Sequence, residues 1–440
     1  MTRWLALFAV LAACGDGIGV PDATVTPDVM RGLVTVEVRS RFVGSGARVF
    51  VQRAGSELVI ATATDANGRV QAYVPEHSFV TVVLVHSDDL GVRHFVYTQA
   101  DVNPGDQVVI DDGTLASTAA ISVRIPAGGP DFGSYQAFVP CVATPNLLVP
   151  DQPSSVELTG CTSSGTLVVR SSFESFAYVH DASFAPGSLV SLTGETYEPY
   201  VDIPLRVTNV PPAITNVRAR QTLLDGDREL WIDQLQDGFL FFDGFETSAE
   251  TTLRGPTWPD ARVITKLTTD TFTAGVPSVF EWGPRGEPTT IDFGADALRE
   301  YQTVPRYVPE ANAIGWIEGD RGRLPDAVLA ELSWFFSDEQ RSASIYWRVF
   351  ARRGEDARLT LPVLPDVMFQ PTGFLDARVT NIGIEGGYDR LRELPVLGRF
   401  RDPLFRNELF ENPGPTSWPI DAPAGRVVFM SSRNGGGPEF

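Results

Sequence analysis

The sequence predicts an all-β protein made of several domains. Short apolar runs rich in β-branched and aromatic side chains recur along its 440 residues, as in LVTVEV (33–38), FVTVVLV (79–85) and ASIYWRVF (343–350). Such runs are typical of strands. The 40 glycines and 33 prolines interrupt any long helical pattern, and only ADALREY (295–301) and GYDRLREL (387–394) predict a turn or two of helix. A chain of this length is expected to contain more than one domain.

The first thirteen residues have the features of an export signal. Trp4 to Ala13 are consecutive apolar residues behind the single basic residue Arg3, and the run is too short for a spanning helix, which needs roughly 20. The run ends in Leu11-Ala12-Ala13-Cys14, which resembles the lipobox of bacterial lipoprotein precursors. This resemblance implies that residues 1–13 are removed as a signal peptide and that the thiol of Cys14 receives a lipid. An ordinary signal peptide, discarded together with Cys14, is the alternative.

Residues 14–30 are expected to form a flexible tether. The stretch contains prolines, glycines and Asp16, Asp22 and Asp28 but no basic residue, and such a composition buries too little surface to fold alone. Gly15 follows the cysteine, which resembles the lipoproteins destined for the outer membrane. The resemblance therefore implies an outer-membrane protein that is attached through its lipid and faces either the periplasm or the cell surface.

Residues 31–116 are expected to form a small β-sandwich. In order they contain GARVFVQ (46–52), TDANGRVQAYVP (64–75) and FVTVVLVH (79–86). This order resembles the carboxypeptidase-regulatory, or transthyretin-like, domains of exported bacterial proteins, in which a Gly-Ala strand precedes a Thr-Asp turn and a further strand. Such domains usually act as spacers or stability modules, so the resemblance implies a structural role.

The rest of the chain divides at a proline pair. Residues 117–210 are expected to form a second, Ig-like β-sandwich that ends at Val210-Pro211-Pro212. Residues 211–440 are expected to form a larger antiparallel β domain of one or two units. Seven of the eight tryptophans lie in this last part, and bulky aromatic side chains fill wide cores. No repeat at a fixed period is visible in the sequence.

Cys141 and Cys161 are left as a pair when Cys14 carries the lipid. Disulfides persist in exported proteins, and a bridge that closes a loop of about 20 residues would stabilise the fold by roughly 3 kcal/mol. A metal site is the alternative, but no His or Cys stands at ligand spacing nearby. We therefore expect a disulfide.

Two stretches resemble metal sites only in part. Asp65-Ala66-Asn67-Gly68 begins like a calcium loop but lacks the glutamate that closes one, and its Asn-Gly pair predicts a β-hairpin between the two flanking strands. His86 and His94 flank SDDLG (87–91). If this loop closes a hairpin with Leu84 opposite His94, both imidazoles lie on one face. We expect a turn and a polar sheet face here, and no metal or other cofactor.

Catalytic motifs are absent from the sequence. All four histidines precede residue 181, and no nucleophile elbow, zinc-protease motif or phosphate-binding loop is found. Glycoside hydrolysis needs only two carboxylates, for which Glu281 and Asp292 are candidates, as are the acidic residues of DRELWID (227–233). Trp231 and Trp282 stand beside these acids and are candidate carbohydrate-binding residues. Because 55 acidic residues give the chain a net charge of −20, such neighbours are expected on any solvated strand, and we expect no catalytic residue.

The features together predict a lipid-anchored cell-envelope lipoprotein with a non-catalytic structural, binding or assembly role. Its partners would be the membrane, through the lipid, and envelope proteins or glycans. Nucleic acid is disfavoured because its phosphates require basic residues. A carbohydrate-binding surface protein is the first alternative, and a glycan-active hydrolase is the second. Tryptophans in the core would indicate a scaffold, whereas tryptophans exposed in a groove with two carboxylates would indicate sugar binding.

Overall fold

The described residues confirm the all-β prediction. They form thirty strands and two short 3-10 helices, Pro309–Ala311 and Val367–Phe369. The computed structural model describes residues 32–434 except 41–45, 54–57, 90, 114–117, 127–134, 140–145, 160–162, 172–174, 193–196, 213, 226–227, 233–237, 243–246, 260, 269–275, 285–287, 295–296, 372–374, 385–386 and 390–425.

Residues 32–113 form a two-sheet sandwich, here called the first repeat. Its strands are β1 (Gly32–Ser40), β2 (Arg48–Gln52), β3 (Leu58–Ala63), β4 (Arg69–Val74), β5 (Ser78–Asp88), β6 (Gly91–Val102) and β7 (Gln107–Gly113). One sheet has the order β4-β1-β7, with β1 and β7 parallel, and the other contains β3-β2-β5-β6. Alternating valines such as Val34, Val36, Val80 and Val82 fill the core between the two sheets, as period-two strands require.

Residues 118–199 form the second repeat. Its strands are β8 (Thr118–Arg124), β9 (Tyr135–Phe138), β10 (Asn146–Leu148), β11 (Ser154–Thr159), β12 (Ser164–Arg170), β13 (Ser175–Ser183), β14 (Leu189–Ser191) and β15 (Glu198–Pro199). One sheet has the order β11-β8-β14, with β8 and β14 parallel, and the other has the order β10-β9-β12-β13-β15. Its core is separate from that of the first repeat.

Residues 201–292 form the third repeat. Its strands are β16 (Val201–Thr208), β17 (Asn216–Asp225), β18 (Arg228–Ile232), β19 (Gly238–Phe241), β20 (Ala249–Gly255), β21 (Arg262–Thr268), β22 (Val276–Pro284) and β23 (Thr289–Asp292). β16 pairs antiparallel with β20 and parallel with β23. The sequence assigned β16 to the second sandwich, so the boundary expected at residue 210 falls inside the third repeat.

The three sandwiches have the same strand topology. In each sandwich, one sheet has the first strand in its middle, paired antiparallel with one neighbour and parallel with a later strand. The main strands of the other sheet lie in the same relative order in all three sandwiches. The first two repeats also share a local irregularity: Asp101 in β6 (φ 58°) and Asp181 in β13 (φ 52°) are left-handed where the ladder shifts register. The repeat is not visible in the sequence because buried strand positions accept different apolar residues of similar volume.

Residues 306–434 form the C-terminal unit. Its strands are β24 (Arg306–Val308), β25 (Ala313–Gly315), β26 (Ala327–Ser337), β27 (Ser342–Arg352), β28 (Arg358–Thr360), β29 (Asp376–Ile384) and β30 (Arg426–Asn434). Three of them make the small sheet β24-β25-β28, and the other four are adjacent in the order β30-β29-β26-β27. The prediction of a helix at 295–301 is wrong for residues 297–301, which the structure describes. There Leu298 forms an isolated bridge with Arg323, and Tyr301 forms one with Glu318.

The C-terminal unit joins the first and third repeats edge to edge. β27 pairs in parallel with β6 of the first repeat, and β30 pairs antiparallel with β22 of the third. The result is a thirteen-stranded sheet in the order β18-β17-β21-β22-β30-β29-β26-β27-β6-β5-β2-β3, with β19 also paired to β17. Two hydrophobic cores contain residues from all three units.

Candidate functional site

The tryptophans whose side chains are described lie in the core. Their exposed fractions are 9%, 6%, 5% and 1% for Trp258, Trp316, Trp334 and Trp347. Trp334 donates through its indole N–H to the Met368 carbonyl at 3.2 Å. Trp418 lies outside the described residues. These rings therefore fill the interior and form no exposed sugar-binding platform.

The two candidate carbohydrate-binding tryptophans stand on β18 and β22 of the large sheet, which β17 and β21 separate, and they lie in different rows. Trp231 on β18 pairs with Leu223 of β17, and Leu223 pairs with Val263 of β21. Trp282 on β22 pairs with Ile264, the next residue of β21. Because successive rows face opposite sides of a sheet, the backbone does not bring positions 231 and 282 to one face.

The two carboxylate positions considered for glycoside hydrolysis, 281 and 292, lie on strands of different sheets. Glu281 lies on β22 in the thirteen-stranded sheet, whereas Asp292 lies on β23 in the small sheet β20-β16-β23. The Asp292 carboxylate accepts hydrogen bonds from Asn209 Nδ2 at 2.7 Å and from the Gly294 N–H at 3.1 Å. Asp292 thus ties the end of β23 to the segment after β16. Asp227 and Asp233 lie outside the described residues.

The register with Leu84 opposite His94, which would place His86 and His94 on one face, does not form. The hairpin aligns Asp88 with Gly91, which places His94 opposite Val85 and His86 opposite Arg93. A one-residue change of register moves a side chain to the other face, so the two imidazoles point to opposite sides of the sheet. In the described part of the chain, no three His, Cys, Asp or Glu side chains cluster as metal ligands.

His94 is instead part of the junction between the first repeat and the C-terminal unit. It is 6% exposed, and its ring packs edge-on against Phe369 with centroids 5.6 Å apart. Burial lowers the pKa of His94, and the positive charge of Arg48 lowers it further; Asp366 acts in the opposite direction. Burial and the charge of Arg48 thus favour the neutral form of the imidazole at this junction.

Asp65 closes a turn. Its Oδ1 accepts hydrogen bonds from the Asn67 N–H at 2.8 Å and the Arg69 N–H at 2.9 Å. Gly68 has φ 74°, which glycine adopts without strain. The carboxylate is occupied by backbone donors, and these bonds lower the pKa of Asp65. The turn connects β3 and β4, which belong to different sheets, so the hairpin expected at Asn67-Gly68 is wrong and only the turn forms.

One polar constellation that the sequence did not predict lies between the second and third repeats. Thr166 donates its hydroxyl hydrogen to Asp225 Oδ1 at 3.0 Å, and its N–H to Asp225 Oδ2 at 2.8 Å. His180 Nδ1 lies 3.1 Å from the same hydroxyl. Because the single hydroxyl hydrogen points to Asp225, the hydroxyl accepts from His180 Nδ1–H. A histidine that activates a nucleophile must accept that hydrogen, so the arrangement is a clamp between repeats.

A second unpredicted cluster surrounds a buried ion pair. Glu318 Oε2 lies 3.0 Å from Arg353 Nη2, and the two side chains are 5% and 2% exposed. Glu318 Oε1 accepts from Trp316 Nε1 at 2.6 Å and from Asn381 Nδ2 at 2.7 Å. Tyr301 packs on the indole, and burial together with the nearby Glu318 charge raises the pKa of Tyr301. Arg353 directly follows β27 and Asn381 lies on β29, so their bonds to Glu318 hold the segment around Glu318 against these strands.

A charge ladder crosses three strands of the C-terminal unit. Glu331 of β26 lies between Arg348 of β27, with Nε–Oε1 3.2 Å, and Arg378 of β29, with Nη1–Oε2 3.8 Å. Opposite charges directly across neighbouring strands stabilise a sheet. The ladder therefore reinforces the order of β27, β26 and β29.

Buried hydrogen bonds connect the first repeat to the C-terminal unit. Trp347 Nε1 donates to Thr98 Oγ1 at 2.9 Å, and Thr98 Oγ1 lies 2.8 Å from Thr81 Oγ1. Tyr388 donates its hydroxyl to the Ala100 carbonyl at 3.2 Å. These partners are satisfied inside the protein, so the junction is built like a domain interior.

Three predicted modification sites lie outside the described residues: Cys14, Cys141 and Cys161. In the described part of the chain, no helix is long and apolar enough to cross a membrane.

Comparison with known proteins does not assign the chain to a family. No protein-family model and no curated protein matches it. Among solved structures, the Bacillus anthracis TIE protein matches with 11% sequence identity over 60% of this chain and 50% of that protein, with a TM-score of 0.14. The chain thus spans about half of that protein's length, and a TM-score this low supports no conclusion about function.

Proposed function

We propose that this chain is a lipid-anchored lipoprotein of the cell envelope, with a non-catalytic structural, binding or assembly role. The observation that carries the proposal is the burial of Trp258, Trp316, Trp334 and Trp347 in the interior of a multi-repeat β body. Tryptophans used for packing support a scaffold, whereas sugar binding needs exposed rings. The resemblance of residues 11–14 to a lipobox supports the anchor.

The non-catalytic role is tested with the purified full-length chain. We expect no turnover on a panel of glycoside, ester and peptide substrates, and no enrichment on a glycan array. Trp231→Ala and Trp282→Ala should leave the array result unchanged. Turnover that Glu281→Gln or Asp292→Asn abolishes would instead establish a hydrolase.

The anchor is tested by removing its thiol. Cys14→Ser should leave the precursor uncleaved or release the protein from membranes, whereas the wild type should partition into the detergent phase. Gly15 supports delivery to the outer membrane, which separation of inner and outer membranes would measure. Equal membrane retention of the two proteins would exclude the lipid.

The proposed disulfide concerns Cys141 and Cys161. An exported chain keeps such bridges oxidised. Non-reducing peptide mapping should recover one linked pair of fragments, and reduction should separate them. Two thiols that alkylate freely in protein taken from the envelope would refute the bridge.

A further inference from the structure

A segment without strands, residues 361–371, spans the junction between the first repeat and the C-terminal unit and is here called the strap. It lies between β28 and β29, and its one regular element is the short 3-10 helix Val367–Phe369. Pro362, Pro365 and Pro371 have no N–H to donate to a neighbouring strand. Segments outside the ladders open at a lower free-energy cost than the core strands beneath them.

The strap is attached to the C-terminal unit by hydrogen bonds and an ion pair. The Leu361 N–H donates to the Asn312 carbonyl at 2.8 Å, and Asn312 Nδ2 donates back to the Leu361 carbonyl at 2.8 Å. Arg341 lies in the turn between β26 and β27, and its Nη1 is 2.9 Å from Asp366 Oδ2. These four residues belong to the C-terminal unit, so this attachment does not involve the first repeat.

The strap contacts the first repeat at Val363 and at Phe369. Gln52 Nε2 of β2 donates to the Val363 carbonyl at 2.5 Å. The Phe369 ring, which is 2% exposed, packs edge-on against His94 of β6, and the Arg48 guanidinium of β2 lies 5.9 Å from the ring centroid. His94 therefore lies beneath the part of the strap that rests on the first repeat.

The closed strap leaves no acceptor for a second ring hydrogen on His94. Its Nδ1 is buried, and among the described residues this atom has no hydrogen-bond partner. A protonated imidazole carries a hydrogen on both ring nitrogens, so Nδ1–H would be a buried donor without an acceptor. Such a donor loses its hydrogen bond to water and gains none in return. Protonation of His94 is therefore unfavourable while the strap is closed.

The charged groups that face His94 act in the same direction. They are Arg48 of β2, Arg341 of the turn between β26 and β27, and Asp366 of the strap. The Asp366 carboxylate already accepts hydrogen bonds from Arg341 Nη1 at 2.9 Å and from the Met368 N–H at 3.1 Å. A protonated His94 would thus meet two cations and one carboxylate that is already engaged. Burial and Arg48 accordingly lower the pKa of His94.

We propose that the strap opens in acid, because a proton taken up by His94 lifts Phe369 and the adjoining strap residues from the first repeat. Water then accepts the Nδ1 hydrogen, while the contacts with Asn312 and Arg341 keep the strap on the C-terminal unit. The open state binds the proton more tightly than the closed state, so opening begins as the pH falls below about 6.5, the ordinary pKa of histidine. The ladder between β6 and β27 stays paired.

Hydrogen exchange of the full-length chain, measured by mass spectrometry, tests this proposal. The protection factor corrects the exchange rate for the intrinsic effect of pH. For the strap amides it should fall about tenfold between pH 7 and pH 5, because one proton changes an opening equilibrium by up to about tenfold per pH unit. The protection factors of β27 and of β12 in the second repeat should stay constant, which separates strap opening from global unfolding.

Two variants test the role of His94, with a matched control. His94→Gln has a side chain that stays neutral, so the protection factor of the strap should not depend on pH. His86→Gln changes a histidine that points to the opposite side of the sheet, and it should keep the wild-type fall. Should His94→Gln fail to fold, Arg48→Gln changes an exposed residue instead. Without that guanidinium His94 is protonated more readily in the closed state, so the fall should be smaller.

Three results would overturn the proposal. One is a strap whose protection factor is equal at pH 7 and pH 5 in the wild type. Another is a wild-type fall that persists in folded His94→Gln. The third is a loss of protection in β6 and β27 together with the strap, which would show that acid separates the whole junction. The proposal depends neither on the lipid anchor nor on the non-catalytic role, so either can fail without the other.

Discussion

Removing the charge of Glu318 should destabilise the C-terminal unit more than any other single isosteric change of an acid described here. Arg353 is 3.0 Å away, and both side chains are at least 95% buried. Glu318→Gln leaves the Arg353 guanidinium without a countercharge. The new amide N–H₂ then faces either Arg353 or the N–H donors of Trp316 and Asn381, so a donor meets a donor. Breaking a buried ion pair by changing one partner costs about 3–5 kcal/mol. We expect that loss in the free energy of unfolding, measured by urea titration with tryptophan fluorescence.

A matched control is the exposed pair between Asp202 and Arg254. Its atoms are 3.1 Å apart, but the side chains are 64% and 34% exposed, so Asp202→Asn should cost less than about 1 kcal/mol. Replacing both buried partners, as in Glu318→Leu/Arg353→Met, should cost less than either single change, because no charge is left alone. A Glu318→Gln loss no larger than that of Asp202→Asn would refute the buried network.

Three further perturbations probe the interior. Trp347→Phe removes the hydrogen bond to Thr98 and part of a buried ring, so the free energy of unfolding should fall by about 2–3 kcal/mol. A thermal melt measures this loss, and an unchanged melting temperature would contradict the buried position of Trp347. The pKa of His94 lies below its ordinary value of 6.5, so as the pH drops the unfolded chain is protonated at this residue before the folded chain. The free energy of unfolding should therefore fall as the pH drops below about 6.5. His94→Gln should make the urea midpoint less dependent on pH between pH 7 and 5. Gly383→Ala would press a methyl group against the Arg323 guanidinium and to 2.9 Å from Leu298, so it should destabilise the fold by about 1–3 kcal/mol; an unchanged free energy of unfolding would contradict this close packing.

Local sequence signals predicted the strands and turns well. Alternating runs such as LVTVEV became β1, and the Asp65 turn formed where Asn67-Gly68 indicated one. The error at His94 came from loop length. The stretch SDDLG (87–91) predicts a five-residue loop, whereas β5 and β6 continue until Asp88 meets Gly91. A shift of one residue reverses the face of every side chain beyond it.

The assembly of strands into one body could not be predicted from local signals. β6 and β27 pair although their contacting residues Thr98 and Trp347 are 249 positions apart, and no motif marks such a pairing. The alternating pattern of β16 suits either the second or the third sandwich. Its place in the third repeat follows only from its pairing with β20 and β23. Glu318 resembled any other acid in an acid-rich chain. Its role depends on Arg353 and Asn381, which only folding brings near.

The most direct test of this account is whether the first repeat and the C-terminal unit share one sheet in solution. Arg93 of β6 lies opposite Ser344 of β27 in the parallel ladder, at the roughly 4.8 Å strand spacing that a disulfide can bridge. The chain with Arg93→Cys and Ser344→Cys should form this disulfide, whereas Arg93→Cys with Tyr346→Cys, two residues out of register, should not. Two free thiols in the folded in-register variant, read by peptide mapping, would contradict the continuous sheet on which the scaffold proposal is based.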